Sequence, residues 1–446
     1  MLGQMPLQMN MPGMPAIPLP YASSRWLLLL AAYIGYAALT LVGGLAGISL
    51  QAVGAGLFIL LLAGRYGSLM LPLRKNLLNL WLLLSFLLPL VPLLLGSSAQ
   101  GEGSAPYIIK YYAVYVVVLL CLPLRLPPLY ESKLRVPLFI AILMLLLAGM
   151  LLAHTGAGAS GRMQGLFTNP NNFALMAMGL LFVLHEEHDA WYVRWGLFGL
   201  AGGLILLSGT AGALLSFIAA LGYRLIAAGH GRKLLVILFV ATGLLAMLVT
   251  AMLLLRDQAF MQTGPIGKVT AKFEIAYNNL ELVFSDRTVN FYQASRGYGG
   301  DATSALWRLV HWKETFRAWQ HGGWLCVLFG NGLGSSVPMM GILPHNDYLR
   351  FLFELGLLGL LANALVWGTL FRQMLPANRW LLVMVAIYGF SENNFDNFLA
   401  MALLVFFSIS VRRPIHVLGR RLLNTYRQAA VRCMERNRHP EPAVEG

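Results

Sequence analysis

Residues 347–371, DYLRFLFELGLLGLLANALVWGTLF, form a long apolar run whose charged residues all lie near its N-terminal end. About 20 consecutive apolar residues are enough for an α-helix to cross the hydrocarbon core of a bilayer. The stretch therefore predicts a membrane-spanning helix that begins in a polar segment. Because similar runs recur along the chain, this stretch sets the class of fold.

The composition of the whole chain agrees with a membrane protein. Of its 446 residues, 58% are hydrophobic and only 11% are charged, and the mean hydropathy is +0.67. Soluble domains carry about 25% charged residues, so this chain has too few to cover a water-facing surface. We expect an all-α, polytopic membrane protein with about 12 transmembrane helices. The predicted spans cover residues 26–42, 45–64, 77–96, 107–124, 136–153, 173–184, 192–207, 212–229, 233–254, 347–371, 378–390 and 397–411.

Basic residues alternate between the short loops that join these spans. Arg and Lys concentrate in every second loop, whereas the intervening short loops hold little beyond Arg162. Since basic loops stay on the cytoplasmic side, both termini are predicted to be cytoplasmic. This distribution accounts for most of the net charge of +14. The basic tail has no aromatic-rich surface beside it, so we expect it to bind membrane lipids and expect no nucleic-acid partner.

One connection is far longer than the others. Residues 255–346 separate the ninth span from the tenth on the outer side, where long loops are translocated despite their charge. Helical periodicity near 268–284 and 303–320 predicts that this loop is partly helical. The chain then divides into a disordered leader at 1–25, spans one to nine at 26–254, the outer loop at 255–346, spans ten to twelve at 347–411 and a basic cytoplasmic tail at 412–446.

Polar residues without a routine role in a membrane protein lie almost entirely on the outer side. They occur in residues 161–174, in residues 208–212, in the outer loop with the start of the next span, and in residues 391–397. A common outer cavity at the membrane boundary would bring all four segments together. Polar and ionisable groups are costly inside a membrane and mark functional sites there. We therefore expect one functional site on the outer side.

The richest segment is LPHNDYLRFLFELGLLG, residues 343–359. His345 lies at the start of the predicted helix, and an imidazole is neutral near pH 7 and accepts a proton readily. Arg350 and Glu354 are four residues apart, so they share one helix face and can pair. Asn346 is expected to support the site. In an alternative interpretation, His345 caps the helix, and Arg350 and Glu354 form a structural pair.

Arginines of the outer loop are candidates for binding phosphate. Arg308 and Trp312 follow helical spacing and are expected on an amphipathic helix at the outer membrane surface. Arg287 and Arg296 are loop arginines whose guanidinium groups match a pyrophosphate bidentately. Each has a plainer interpretation as well. Arg308 would belong to a basic helix drawn to lipid headgroups, and Arg287 and Arg296 would be solvated charges.

Arg162 stands nearly alone in the short outer loops, which makes it a further candidate for donor binding. The asparagines that follow it, up to Asn172, predict a turn and an N-cap on the next span. The chain has no Walker loop, dinucleotide fingerprint, HExxH motif or DxD-like pair, so a metal-dependent nucleotide-sugar enzyme is disfavoured. We expect no metal and no cofactor, and an activated substrate that is delivered within the membrane.

Four motifs occur in order along residues 160–360. They are Arg162 with GLFTNPNN, the R-x-x-x-W of Arg308 and Trp312, FGNGLGSS at 329–336, and His345-Asn346 followed by Glu354-x-Gly356-x-x-Gly359. Their order, and their position around the large outer loop, resemble the O-antigen ligase and O-antigen polymerase superfamily of polytopic, GT-C-like glycosyltransferases. Twelve spans with the large loop between the ninth and tenth look like the ligase branch.

This resemblance implies a reaction and roles for particular residues. The reaction is metal-independent transfer of O-polysaccharide from undecaprenyl diphosphate to a lipid A-core sugar, with inversion, on the periplasmic face of the bacterial inner membrane. The family's histidine maps onto His345, the base for the acceptor hydroxyl, and its loop arginine maps onto Arg287 or Arg308. Where the family often has a hydroxyl residue, Arg and Gly, residues 210–212 read Thr-Ala-Gly. Arg162 is the preferred substitute for that missing arginine.

Other functions stay open at this stage. An O-antigen polymerase, or a protein O-oligosaccharyltransferase, would use the same donor site with a different acceptor. A transporter or flippase of an anionic lipid-linked solute is the alternative from another class. Transporters commonly have related halves and polar residues near the bilayer midplane. Here no internal repeat is evident and the polar residues crowd one face, so the sequence favours the transferase.

Overall fold

The structure is a computed structural model that describes residues 77–101, 103–121, 140, 170–184, 190–227, 274–279, 281, 284, 304–374, 379–396 and 401. Within these residues the secondary structure is helical and no strand occurs, which confirms the all-α prediction. The helices are α1 (Leu77–Leu87), α2 (Val91–Leu94), α3 (Ala105–Cys121), α4 (Pro170–Leu184), α5 (Trp191–Leu207), α6 (Ala211–Ala227), α7 (Ser304–His321), α8 (Gly323–Phe329), α9 (Ser336–Met340), α10 (Asp347–Gln373) and α11 (Arg379–Tyr388).

The helix predicted from the opening stretch is present as α10. Its residues Asp347–Arg372 form the one helix, among the described residues, that is long and apolar enough to cross a membrane. The shorter apolar helices α3, α5, α6 and α11 lie at predicted spans. Five predicted spans, 26–42, 45–64, 136–153, 233–254 and 397–411, lie wholly or almost wholly outside the described residues. The prediction of 12 spans is therefore not confirmed.

The predicted span at 77–96 is not one continuous helix. It is divided into α1, a 3-10 turn at Leu88–Leu90 and α2. Pro89 and Pro92 lie at the starts of the turn and of α2. A proline has no N–H to donate and its ring clashes with the preceding turn, so two prolines three residues apart end the regular helix.

A buried polar cluster joins α10 to α3 and α1. Asn363, on α10, donates to the carbonyl of Gly359 at 2.8 Å and to the hydroxyl of Tyr111 at 3.2 Å. Tyr115 donates to the side-chain carbonyl of Asn363, and Tyr111 donates to the carbonyl of Ser85 at 3.0 Å. Because these buried groups satisfy one another, they fix the three helices together without the cost of an unpaired polar atom.

The helix α10 is kinked at Gly356, which has φ 67° and ψ −173°. The kink interrupts the helical hydrogen bonds and leaves the carbonyls of Phe353 and Glu354 available to other donors. The backbone N–H of Asn331 donates to Phe353 at 3.0 Å, and that of Gly332 donates to Glu354 at 3.0 Å. The FGNGLGSS segment therefore docks on the kink through its backbone.

This docking requires glycine on both sides. A Cβ atom on Gly356 would lie 2.4 Å from the carbonyl carbon of Leu328, and one on Gly330 would lie 2.3 Å from that of Glu354. Two backbones approach each other too closely here for any side chain. This one backbone contact explains why both Gly330 and Gly356, which belong to different motifs, are glycine.

We expect Gly356→Ala to destabilise the protein strongly. Its φ and ψ values are essentially restricted to glycine and cost a non-glycine residue about 1–3 kcal/mol, and the clash with Leu328 adds to this cost. The measurement is the thermal unfolding midpoint in detergent. Gly368→Ala is the matched control, because Gly368 lies in the same helix with open space around it. An equal midpoint for the two variants would contradict the docking contact.

The connection between α2 and α3 packs against the same segment. The backbone N–H of Ala99 donates to Asn331 at 2.8 Å, and the side chain of Gln100 donates to the carbonyl of Leu333 at 2.9 Å. The hydroxyl of Ser104 donates to the carbonyl of Gly334 at 3.0 Å. This connection therefore lies at the end of the bundle where α10 begins.

Candidate functional site

The carboxylate of Glu392 lies at the centre of a polar cluster at this end of the bundle. Its side chain is only 9% exposed. It accepts from Nη2 of Arg308 at 2.5 Å, from Nδ2 of Asn171 at 2.5 Å and from Nδ1 of His345 at 3.3 Å. A carboxylate this buried needs cationic or hydrogen-bonding partners. Here those partners come from α7, from the start of α4 and from the segment that precedes α10.

His345 lies in the connection between α9 and α10. Its φ of 50° is the one positive value at a residue other than glycine in the described part of the chain. Since Nδ1 faces a carboxylate, Nδ1 donates this hydrogen bond, and in the neutral imidazole Nε2 is then the acceptor nitrogen. Backbone strain of this kind persists where the surrounding structure imposes it, and functional sites commonly store it.

The residue that caps α10 is Asn346 and not His345. The side-chain oxygen of Asn346 accepts from the backbone N–H of Leu349 at 3.0 Å. Its own N–H donates to the side chain of Asn393 at 3.2 Å. The interpretation in which His345 caps the helix is therefore wrong. The cap instead holds the neighbour of His345 against the segment that carries Glu392.

A second set of contacts holds this segment on the start of α10. The backbone N–H of Asp347 donates to the carbonyl of Gly389 at 2.8 Å. The carboxylate of Asp347 accepts from the backbone N–H of Asn394 at 2.8 Å. Asn394 also donates through its side chain to the carbonyl of Val385 at 3.0 Å. Glu392 is thus fixed from both sides relative to His345.

The helix α7 lies over the chain that leads to His345. Nε1 of Trp312 donates to the carbonyl of Pro344 at 2.6 Å, and Nε2 of His311 donates to that of Ile342 at 3.2 Å. Trp307 stacks on His311 with centroids 5.1 Å apart and meets His345 edge to face at 5.4 Å. Burial lowers the pKa of His311, so this second histidine is neutral at pH 7.

Two further polar segments reach the cluster through Asn171. The hydroxyl of Thr210 donates to the side-chain carbonyl of Asn171 at 3.2 Å, and the hydroxyl of Tyr388 donates to its backbone carbonyl at 3.1 Å. A Cβ atom on Gly212 would lie 1.9 Å from the hydroxyl oxygen of Ser391, the residue before Glu392. The described residues of all four polar segments are therefore brought together.

Arg350 and Glu354 form a salt bridge inside the protein, beside this cluster. Nε of Arg350 lies 3.2 Å from Oε2 of Glu354, and the two side chains are 2% and 0% exposed. Ser336, at the start of α9, donates to the same carboxylate, and the guanidinium lies 5.4 Å above the ring of Tyr107. The pair therefore fastens α9 and α3 to α10.

Four predicted site residues lie outside the described part of the chain, wholly or in their side chains. Arg162, Arg287 and Arg296 lie outside the described residues. Asn172 lies in α4 beside Asn171, and its side chain is outside the described part. Among the described residues, no three His, Cys, Asp or Glu side chains are grouped as ligands of a metal ion.

Sequence reasoning gives Glu392 no role and gives Asn171 only a part in the turn and N-cap before the next span. The segment SENNFDN is polar, but nothing in the sequence alone connects Glu392 with His345. One signal was available, because an acidic residue among asparagines at the end of an apolar helix needs a cationic or hydrogen-bonding partner.

Comparison with known proteins adds one finding. Residues 196–364 match the family model described as O-antigen ligase. This match confirms the resemblance predicted from the motifs. It runs from within α5 to residue 364 of α10 and includes Arg308 and His345. No curated protein sequence matches the chain.

Proposed function

From this match to the O-antigen ligase family, we propose that the chain is an O-antigen ligase of the bacterial inner membrane. It transfers O-polysaccharide from undecaprenyl diphosphate to the lipid A-core oligosaccharide at a site that faces the periplasm. The observation that carries the proposal is the contact of one buried carboxylate, Glu392, with both His345 and Arg308. The twelve spans, the cytoplasmic termini and the absence of a metal requirement belong to the same proposal.

His345 is the general base. With its proton on Nδ1, the imidazole presents Nε2 to the acceptor hydroxyl and takes that proton as the oxygen attacks the anomeric carbon. The new C–O bond forms on the face opposite the diphosphate, and the bond between the anomeric carbon and the diphosphate oxygen breaks. Undecaprenyl diphosphate leaves, and the configuration at this carbon is inverted.

Glu392 is a positioning residue for His345. Its carboxylate holds the imidazole in one tautomer and stabilises the imidazolium that forms during transfer. The same arrangement of a buried carboxylate behind a histidine base occurs in serine proteases. Asn171 and Arg308 fix the carboxylate from the other side, so that its Oε2 atom points at His345.

Guanidinium groups stabilise the leaving diphosphate. Arginine stays charged and offers several donors in one plane, which suits phosphate oxygens. Arg308 uses Nη2 for Glu392, and its side chain is 23% exposed, so part of the side chain is accessible. Arg162, Arg287 and Arg296 are the further candidates for the diphosphate. Because donor and acceptor are both anchored in one leaflet, positioning contributes as much as proton transfer.

Trp307 is expected to position His345. Trp307→Ala removes the edge-to-face contact with the imidazole, which is worth about 0.5–1.5 kcal/mol, so turnover should fall up to about tenfold while KM changes little. Trp307→Phe should retain most of the activity. The check is steady-state kinetics, with Trp324→Ala as the matched control, since Trp324 is an exposed tryptophan on α8. A change confined to KM would instead indicate that Trp307 binds substrate.

Reconstitution tests the proposed function. The purified full chain is placed in liposomes with a glycan on undecaprenyl diphosphate, with and without a chelator, and with lipid A-core, an acceptor protein or no acceptor. Glycan joined to lipid A-core in the presence of chelator supports the ligase. Longer glycan on the lipid carrier would identify a polymerase, and glycan on the protein an O-oligosaccharyltransferase. Movement of the donor without any new bond would overturn the proposal in favour of a transporter.

A further inference from the structure

Basic side chains gather at the helix ends that lie opposite the candidate site. The helix α6 begins beside Thr210, and Arg224 lies in its last turn. The helix α11 ends near Glu392, and Arg379 is its first residue. The two helices pack against each other along their length. Arg224 and Arg379 therefore lie at the same, remote end of the bundle.

Both guanidinium groups rest on aromatic rings. The Arg224 carbon Cζ lies 5.0 Å from the ring centroid of Phe198 and 5.6 Å from that of Trp380. The Arg379 carbon Cζ lies 5.3 Å from the ring centroid of Phe371. A cation over an aromatic face keeps its charge and loses much of its rotational freedom. The two groups are therefore oriented before any ligand arrives.

The two aromatic sets adjoin each other. Tyr223, next to Arg224 in the chain, meets Phe371 edge to face at 6.0 Å, and Trp380 follows Arg379 directly. Phe198 and Trp380 also meet at 5.7 Å. Helices α5, α6, α10 and α11 thus supply one set of adjoining aromatic side chains, and both guanidinium groups pack against it.

Exposed aromatic residues on α5 place this end at a membrane surface. Trp191, Tyr192 and Trp195 lie in its first turns and are 68%, 64% and 51% exposed. Tryptophan and tyrosine concentrate where a membrane meets water, at the level of the headgroups. The guanidinium groups of the same end are then at the depth of lipid phosphates.

We propose that Arg224 and Arg379 bind the phosphate of an anionic phospholipid at this end of α6 and α11. Guanidinium groups match phosphate oxygens in charge and geometry, and basic pockets between membrane helices on the cytoplasmic side bind anionic headgroups. The acyl chains lie along the apolar outer faces of these helices. This lipid site is independent of the proposed glycan transfer.

Native mass spectrometry of the full chain tests the site. The protein is purified in detergent with equal amounts of phosphatidylglycerol and phosphatidylcholine, and the lipid retained on the protein ions is measured. We expect wild type to retain phosphatidylglycerol preferentially. Arg224→Ala with Arg379→Ala should lower this retention by about fivefold for each arginine removed. Lys313→Ala with Arg317→Ala is the matched control, which removes two charges from α7 and should leave retention unchanged.

Three results would overturn the proposal. They are equal retention of the two lipids by wild type, unchanged retention by the Arg224 and Arg379 variant, and release of the lipid from wild type by millimolar inorganic phosphate. The last result would identify a site for a free anion. The first and third measurements need only wild-type protein, so they decide the question even where the variant is unstable.

Discussion

Replacing His345 by alanine is expected to lower the turnover of glycan transfer by about 10²–10⁴-fold, the usual contribution of a general base. The donor should still bind, because the proposed diphosphate contacts come from arginines. Expression and the unfolding midpoint should change little, since the imidazole is partly exposed and its strained backbone is held by its neighbours. The measurement combines single-turnover transfer rates with binding of a non-hydrolysable lipid-linked donor.

His321→Ala is the matched control for this variant. His321 lies at the exposed C-terminal end of α7 and contacts the carbonyl of Arg317, so its removal should leave transfer unchanged. Wild-type turnover in the His345 variant would remove this residue from the mechanism. A loss of donor binding with an unchanged rate for bound donor would give it a binding role instead.

The second large effect is expected for Glu392→Gln. The substitution keeps the shape but removes the charge that orients His345 and neutralises Arg308. In the serine protease triad, the equivalent loss of a buried carboxylate lowers turnover by about 10⁴-fold. We expect at least about 10²-fold here, with a lower unfolding midpoint, because a partly buried guanidinium loses its counter-ion. Steady-state kinetics and thermal unfolding measure the two effects.

Glu314→Gln separates this loss from a general effect of charge. Glu314 lies on α7 and forms an ion pair with Lys313 at 3.5 Å, so we expect transfer by this variant to match wild type. Glu392→Asp should recover part of the lost activity, because it restores the charge at a shorter reach. Equal activity of Glu392→Gln and wild type would show that the histidine needs no carboxylate.

The sequence predicted the elements of the fold better than their contacts. The apolar length of residues 347–371 was enough to predict α10, and the spacing of residues 303–320 was enough to predict α7. The kink at Gly356 could not be foreseen from periodicity, because it depends on Gly330 approaching from another part of the chain. The break at Pro89 and Pro92 had a local signal, since proline interrupts helices.

The site was predictable in its location and only partly in its chemistry. Polar residues in a membrane segment mark a functional region, and four such segments converge in the structure. The role of Glu392 depends on contact with residues 47 and 84 positions away. Those contacts exist because Asp347 binds Asn394 and thereby fixes the turn after α11 on the start of α10. Contacts between segments this far apart in the chain produce no regular spacing of residues. They therefore cannot be predicted from a single sequence.

The side of the membrane on which the site opens is the central claim, and sided cysteine labelling tests it most directly. Cys121, Cys326 and Cys433 are replaced by serine, and single cysteines are introduced as His321→Cys at the C-terminal end of α7 or Arg372→Cys at the remote end of the bundle. Both positions are exposed. In intact spheroplasts, a membrane-impermeant maleimide should label the cysteine at 321 and reach the one at 372 only after permeabilisation. Labelling of position 372 in intact spheroplasts, with position 321 protected, would contradict the account.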